Sequence, residues 1–181
     1  IGRALMLWGH ESNLSNFLAT AKPYADRLHH TDPDIVLQAA AFEIVTKDVE
    51  KISVPEYVFA EFGLSATNRA FRYDDMLYAN GHFVNHWGNG ASVPDMSRLE
   101  TRLWFYFLAT SYIDAGIEAI HFGQVGLMEN KEPRHAGWAD MLGRVRADAH
   151  HHAGRDLLLC GAHSLALADP ARRAIIARLS R

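Results

Sequence analysis

Several carboxylate, imidazole and amide side chains of this chain stand within, at the end of, or just after short apolar runs. They are His10, Glu43, His121, Gln124, Glu129 and His163. A short apolar run predicts a buried strand, and α/β proteins bind their ligands at the carboxyl ends of parallel strands. We therefore expect these polar side chains to face one shared site.

Glu43 and Glu129 suggest acid–base chemistry on a glycosidic bond. In a glycoside hydrolase one carboxyl group acts as the general acid and the other acts as the nucleophile or the base. Glu43 ends the apolar run 34–43 and is the first choice for such a role. Glu129 is the expected second carboxylate, and Glu11 and Asp95 are the alternatives to it.

Aromatic and polar residues elsewhere in the chain suit the binding of a sugar. The indoles of Trp8 and Trp87 and the ring of Tyr78 would stack on sugar faces. The side chains expected to contact polar groups of the substrate are His10, Asn85, His86, Asn89, His121, Gln124 and His163. Carbohydrate, or another small polar molecule, is therefore the expected ligand.

A second interpretation uses some of the same residues to bind a divalent metal. His10, Glu43, His121 and His163 would hold zinc or manganese, which would activate water for a hydrolase or isomerase reaction. No HExxH or CxxC pair accompanies them. The first interpretation needs no metal and no cofactor, and the two remain alternatives, together with a barrel that binds carbohydrate without catalysis.

The elements that would position these residues follow an alternation of strands and helices. Apolar runs at 4–9, 34–43, 118–127 and 156–163 predict four strands, which indicates an α/β fold with a parallel sheet. We favour a (β/α)8 barrel of TIM type that is incomplete in this chain. Ser97 and Glu100 form a capping box that predicts a helix ending at Gly116, and Pro23 is expected to start a short helix.

Composition narrows the classes of function. The chain of 181 residues carries a net charge of -3 and is 49% hydrophobic, which suits a single domain over 1–181, interpreted as part of a longer chain. No basic cluster indicates nucleic acid, and no apolar run reaches the roughly 20 residues that span a bilayer. Oligomeric state stays open, and a glycosidase of this kind would be secreted or periplasmic.

Four motifs resemble those of a known group of proteins. They are LQAAAFE at 37–43, NHW at 85–87, SRLET at 97–101 and IHFGQ at 120–124. Together they resemble poorly characterised bacterial proteins regarded as glycoside-hydrolase-like (β/α)8 barrels, over roughly residues 8–165. The resemblance implies that Glu43 is the acid/base. The second carboxylate of such barrels has no clear counterpart, since Gln124 stands near the end of the run 118–127.

Overall fold

A computed structural model of the protein describes residues 1–129, 135–152 and 158–159. The helices and strands alternate along most of the chain. In chain order they are β1 (Leu5–Leu7), α1 (Leu14–Thr31), β2 (Gln38–Ala41), β3 (Val45–Thr46), α2 (Glu56–Glu61), β4 (Ala91–Ser92), α3 (Leu99–Asp114), β5 (Ala119–Phe122), α4 (Ala136–His152) and β6 (Leu158–Leu159).

The four predicted strands are confirmed, and they form one parallel sheet. Its strand order is β1-β2-β5-β6, with Leu7 opposite Ala41 and Ala41 opposite Phe122. The alanines of β2 are buried on both faces of the sheet, as expected for an interior strand. β1, β2 and β5 are each shorter than their apolar runs, which extend beyond the strand ends, and the fourth run is described only at Leu158–Leu159.

The prediction of a (β/α)8 barrel is wrong. Within the described residues the four parallel strands make an open sheet whose edges are β1 and β6. The chain between β2 and β5 adds no strand to this sheet. Instead it forms the separate antiparallel pair β3–β4 together with helices α2 and α3.

Helix α1 differs from its prediction at one residue. Pro23 lies inside a continuous helix and does not start a second one. A proline inside a helix lacks the N–H that would bond the preceding turn, which costs stability. Buried Ala21 and Ala25 on either side of Pro23 contribute packing that offsets this cost.

Helix α3 forms as predicted and ends before Gly116, but the predicted capping box is absent. The N-cap is Arg98, and no side chain caps it. The Glu100 carboxylate instead accepts two hydrogen bonds from the Arg69 guanidinium, at 2.6 and 2.9 Å, and one from the backbone N–H of Arg72, at 3.0 Å. A paired guanidinium outcompetes the local cap because a bidentate, charge-assisted contact is stronger.

Most of α3 is buried and forms the centre of the core. It packs against β2 and α4, and Trp104 and Tyr112 are among its fully buried side chains. The Tyr112 hydroxyl donates to the carbonyl of Ala40 at 3.4 Å, and burial raises the pKa of this tyrosine. Among the described residues, no helix has both the length and the apolarity that a membrane span requires.

Candidate functional site

A cleft of about 630 Å³ opens at the carboxyl edge of the sheet, beside β1 and β2. Residues from three segments line it: 8–10 after β1, 44 and 46–48 after β2, and 87 with 89–91 in the loop that leads into β4. Since β1 and β2 are parallel neighbours, their carboxyl ends open on the same side. The cleft therefore lies where the sequence predicts a site.

Trp8 forms the exposed aromatic surface of this cleft. It is 42% exposed, yet its ring is held by two neighbours. The centroids of Phe42 and Trp87 each lie 5.1 Å from that of Trp8, with interplanar angles of 64° and 72°. Edge-to-face contacts of this kind are favourable for aromatic pairs. The indole is thus preorganised while one part of it faces solvent.

Ring contacts extend from Trp87 along the loop that precedes β4. The centroid of His86 lies 4.5 Å from that of Trp87, and successive ring contacts reach back along the chain. Their members are Phe83, His82 and Tyr78. The loop is therefore packed by its own aromatic side chains, which stiffens one wall of the cleft.

Glu43 lies buried at the carboxyl end of β2, where it is only 1% exposed. Its Oε2 accepts the backbone N–H of Gln124 at 2.7 Å, and its Oε1 accepts the side-chain Nε2 of Gln124 at 2.7 Å. Its backbone carbonyl accepts the indole N–H of Trp87 at 3.0 Å. Glu43 thus joins the ends of β2 and β5 to the cleft wall. Neither Glu43 nor Gln124 lines the cleft itself.

Gly123 makes this junction possible by leaving room for the carboxylate. A Cβ on Gly123 would lie 1.9 Å from Oε2 of Glu43, closer than real Cβ atoms approach, and 3.1 Å from Cδ1 of Phe42, which is a tight contact. The backbone N–H of Gly123 donates to the carbonyl of Ala41 at 3.1 Å. Hydrogen bonding between the β2 and β5 segments therefore continues past β5 to the residue beside Gln124.

Glu11, an alternative second carboxylate, holds the other side of the cleft in place. It is buried, and its two carboxylate oxygens accept the backbone N–H of Thr46, at 2.8 Å, and the Thr46 hydroxyl. Thr46 Oγ1 in turn accepts the backbone N–H of Asp48 at 3.2 Å. Gly9 allows the close approach, since a Cβ there would lie 3.0 Å from Thr46 Cγ2. Glu11 thus positions a loop and does not line the cleft.

Glu129 and Asp95 lie near Tyr78 and not on the lining of the cleft. Glu129 Oε2 lies 3.2 Å from His135 Nδ1, and Asp95 is buried. Burial, and then the charges of Asp95 and Glu129, raise the pKa of Tyr78. Tyr78 therefore remains protonated and donates its hydroxyl hydrogen to the carbonyl of Leu127 at 2.5 Å. This buried tyrosine fastens the loop and is not part of the cleft lining.

Of the polar residues predicted to contact a substrate, His10 and Asn89 line the cleft. Asn85 instead shapes the loop, because its Oδ1 accepts the backbone N–H of Gly90 at 2.7 Å. His86 packs on the ring of Trp87, and His121 lies half-buried within β5. The structure therefore brings together only part of the predicted set.

The residues of the metal alternative do not form a cluster in the part of the chain that the structure describes. Glu43 is bound by Gln124, and His163 lies outside the described residues. No group of three or more His, Cys, Asp or Glu side chains within the described ranges is placed to hold a metal ion. A metal-dependent reaction stays a prediction.

Lys47 and Asp48 line the cleft but do not belong to the set that the sequence predicts. They begin a short 3-10 segment, Lys47–Lys51, that directly follows β3. The available signal was their position only a few residues after Glu43. A site predicted at the end of a strand also includes residues of the loop that follows that strand.

No protein-family model, no curated protein and no solved structure matches this chain. The resemblance to glycoside-hydrolase-like proteins therefore stays a prediction.

Replacing Gly123 by alanine is expected to lower the free energy of unfolding by about 1–3 kcal/mol, because the added methyl group displaces the Glu43 carboxylate. The matched control is Gly143→Ala in α4, where an added Cβ meets no described atom within 4 Å. Alanine there is expected to stabilise the helix by up to about 1 kcal/mol. Urea denaturation measures both, and equal effects of the two substitutions would contradict the close packing around Glu43.

Proposed function

We propose that the protein binds a saccharide in the cleft that Trp8 and Trp87 line. The observation that carries the proposal is the indole of Trp8, which is partly exposed on the cleft and held in place by Phe42 and Trp87. Ligand sites combine apolar aromatic surface with a few fixed polar groups. A rigid, exposed aromatic ring offers a flat apolar surface to the C–H face of a sugar and loses little conformational entropy on binding.

The polar residues of the cleft suit hydroxyl groups. His10, Asn89 and Lys47 line the cleft and are exposed, so their side chains can hydrogen-bond a ligand. Amide and imidazole groups both donate and accept, whereas the ammonium group of lysine only donates. A sugar ring with several hydroxyl groups matches such a mixture of donors and acceptors better than an apolar ligand does.

Saccharide binding fits the cleft better than hydrolysis does. Hydrolysis by the usual mechanism needs two carboxyl groups that flank the bond. Glu43 and Glu129 do not line the cleft, and Asp48 is the acidic residue found among its described lining residues. Hydrolysis through Glu43 stays a prediction of the sequence that an activity measurement must decide.

The Trp8→Ala variant is expected to bind its saccharide at least about tenfold more weakly, a loss of ~1.4 kcal/mol. Suitable probes are the hexasaccharides of xylan, cellulose and polygalacturonate, titrated by calorimetry. The control is Tyr24→Ala, which removes an aromatic ring of similar exposure from α1, away from the cleft. The proposal fails if the wild-type protein binds none of these three and no sulfated galactan hexasaccharide either, or if Trp8→Ala binds as tightly as wild type.

Glu43→Gln and Gln124→Ala are expected to lower the free energy of unfolding by about 1–3 kcal/mol each, because each disrupts the contact of two hydrogen bonds that satisfies the buried Glu43 carboxylate. If Glu43 has only this structural role, the release of reducing ends from the same hexasaccharides is expected to be equally low in the wild type and both variants. Gln124→Ala keeps the Glu43 carboxylate and so serves as the control.

The opposite pattern would assign catalysis to Glu43. It would consist of measurable turnover that Glu43→Gln reduces about 100-fold or more, the scale of a lost general acid, and that Gln124→Ala retains. Such turnover would make the protein a glycosidase and not a binding protein alone.

A further inference from the structure

The cleft carries one positive charge that no described residue neutralises. Two of its lining residues, Lys47 and Asp48, carry a full charge at neutral pH. Asp48 is already paired, since its Oδ1 contacts Lys51 Nζ at 2.5 Å and its Oδ2 accepts the Ser12 hydroxyl at 3.0 Å. The hydrogen bond from Lys51, and then the one from Ser12, lower the pKa of Asp48. Asp48 therefore stays ionised, and Lys51 balances its charge.

Lys47 is the other charged residue of the cleft lining. Its backbone N–H donates to the carbonyl of Gly90 at 3.3 Å, and its Cγ lies 3.9 Å from the position that a Cβ on Gly90 would take. The stem of the side chain thus packs against the loop wall, while the residue is exposed and lines the cleft. Within the described part of the chain, Lys47 forms no ion pair.

The chain as a whole carries a net charge of -3, whereas this cleft presents a lysine that pairs with no acidic residue among those described. A lysine ammonium is a compact point charge that binds anionic oxygens. Beside Trp8, which offers the apolar face, it supplies a positive charge that a neutral sugar can use only as a hydrogen-bond donor. His10 lines the same cleft and can donate a further hydrogen bond.

We infer that the saccharide is anionic, with a carboxylate or a sulfate group on a ring that Lys47 binds while Trp8 packs against the ring face. The inference rests on the proposed saccharide binding and narrows its substrate class. Uronic acid oligomers and sulfated oligosaccharides share this chemistry.

The test compares hexagalacturonate with its fully methyl-esterified form, which has the same rings without the charge. Wild-type protein is expected to bind the acid at least about tenfold more tightly than the ester. Lys47→Met is expected to remove that preference, because it weakens binding of the acid far more than binding of the ester. Lys22→Met, which removes the same charge from α1, is expected to keep the preference. A sulfated galactan hexasaccharide of the same length tells whether sulfate replaces carboxylate.

Salt gives an independent readout. Raising the ionic strength from about 0.05 to 0.5 M is expected to weaken binding of the acid and to change binding of the ester little, because screening acts on exposed charges. Melting temperatures of the variants show that each is folded.

The outcomes separate the inference from the function on which it rests. If wild type binds acid and ester equally, or binds only xylan or cellulose hexasaccharides, the anionic class is wrong and saccharide binding stands. If no probe binds, both are overturned. Tight binding of the sulfated probe alone, lost in Lys47→Met, supports the inference and assigns the anion to sulfate.

Discussion

The architecture of the cleft depends on one buried contact, the two hydrogen bonds that the Glu43 carboxylate accepts from Gln124. A carboxylate is costly to bury unless its oxygens have partners. Gln124 provides a backbone and a side-chain donor at the end of the neighbouring strand, and Gly123 gives the space. The carbonyl of the same glutamate binds Trp87. Any shift of Glu43 would therefore move the wall against which Trp8 rests.

Buried and half-buried carboxylates fasten both edges of the sheet. At the carboxyl edge, Glu11 holds Thr46 as Glu43 holds Gln124. At the amino edge, Glu118 accepts the backbone N–H of Leu37 at 2.9 Å and contacts His29 Nε2 at 2.6 Å. Short strands offer few ladder hydrogen bonds, and these contacts connect the loops that the ladders do not reach. The acidic residues that suggest catalysis in the sequence thus have structural partners.

The sequence predicts the strands well because each is an apolar run between turn-forming residues, a local property. Closure of the sheet is not local, since it depends on whether residues 42–118 add parallel strands, and they do not. The position of Glu43 at a strand end was predictable, but its partner lies 81 residues away. Likewise Glu100 fits a capping box locally, and only the fold brings Arg69 to it. The sequence therefore locates the cleft more accurately than it assigns roles to its residues.

The most direct test of the account uses the indole N–H signals of the four tryptophans in a heteronuclear NMR titration with hexagalacturonate. Trp8 and Trp87 flank the cleft, whereas Trp104 and Trp138 are fully buried in the core. We expect the signals of Trp8 and Trp87 to shift in a saturable manner. The ligand covers the ring of Trp8, and the ring of Trp87 packs directly against that ring. The signals of the two core tryptophans should stay in place. Shifts of Trp104 or Trp138 without those of Trp8 would contradict binding in this cleft.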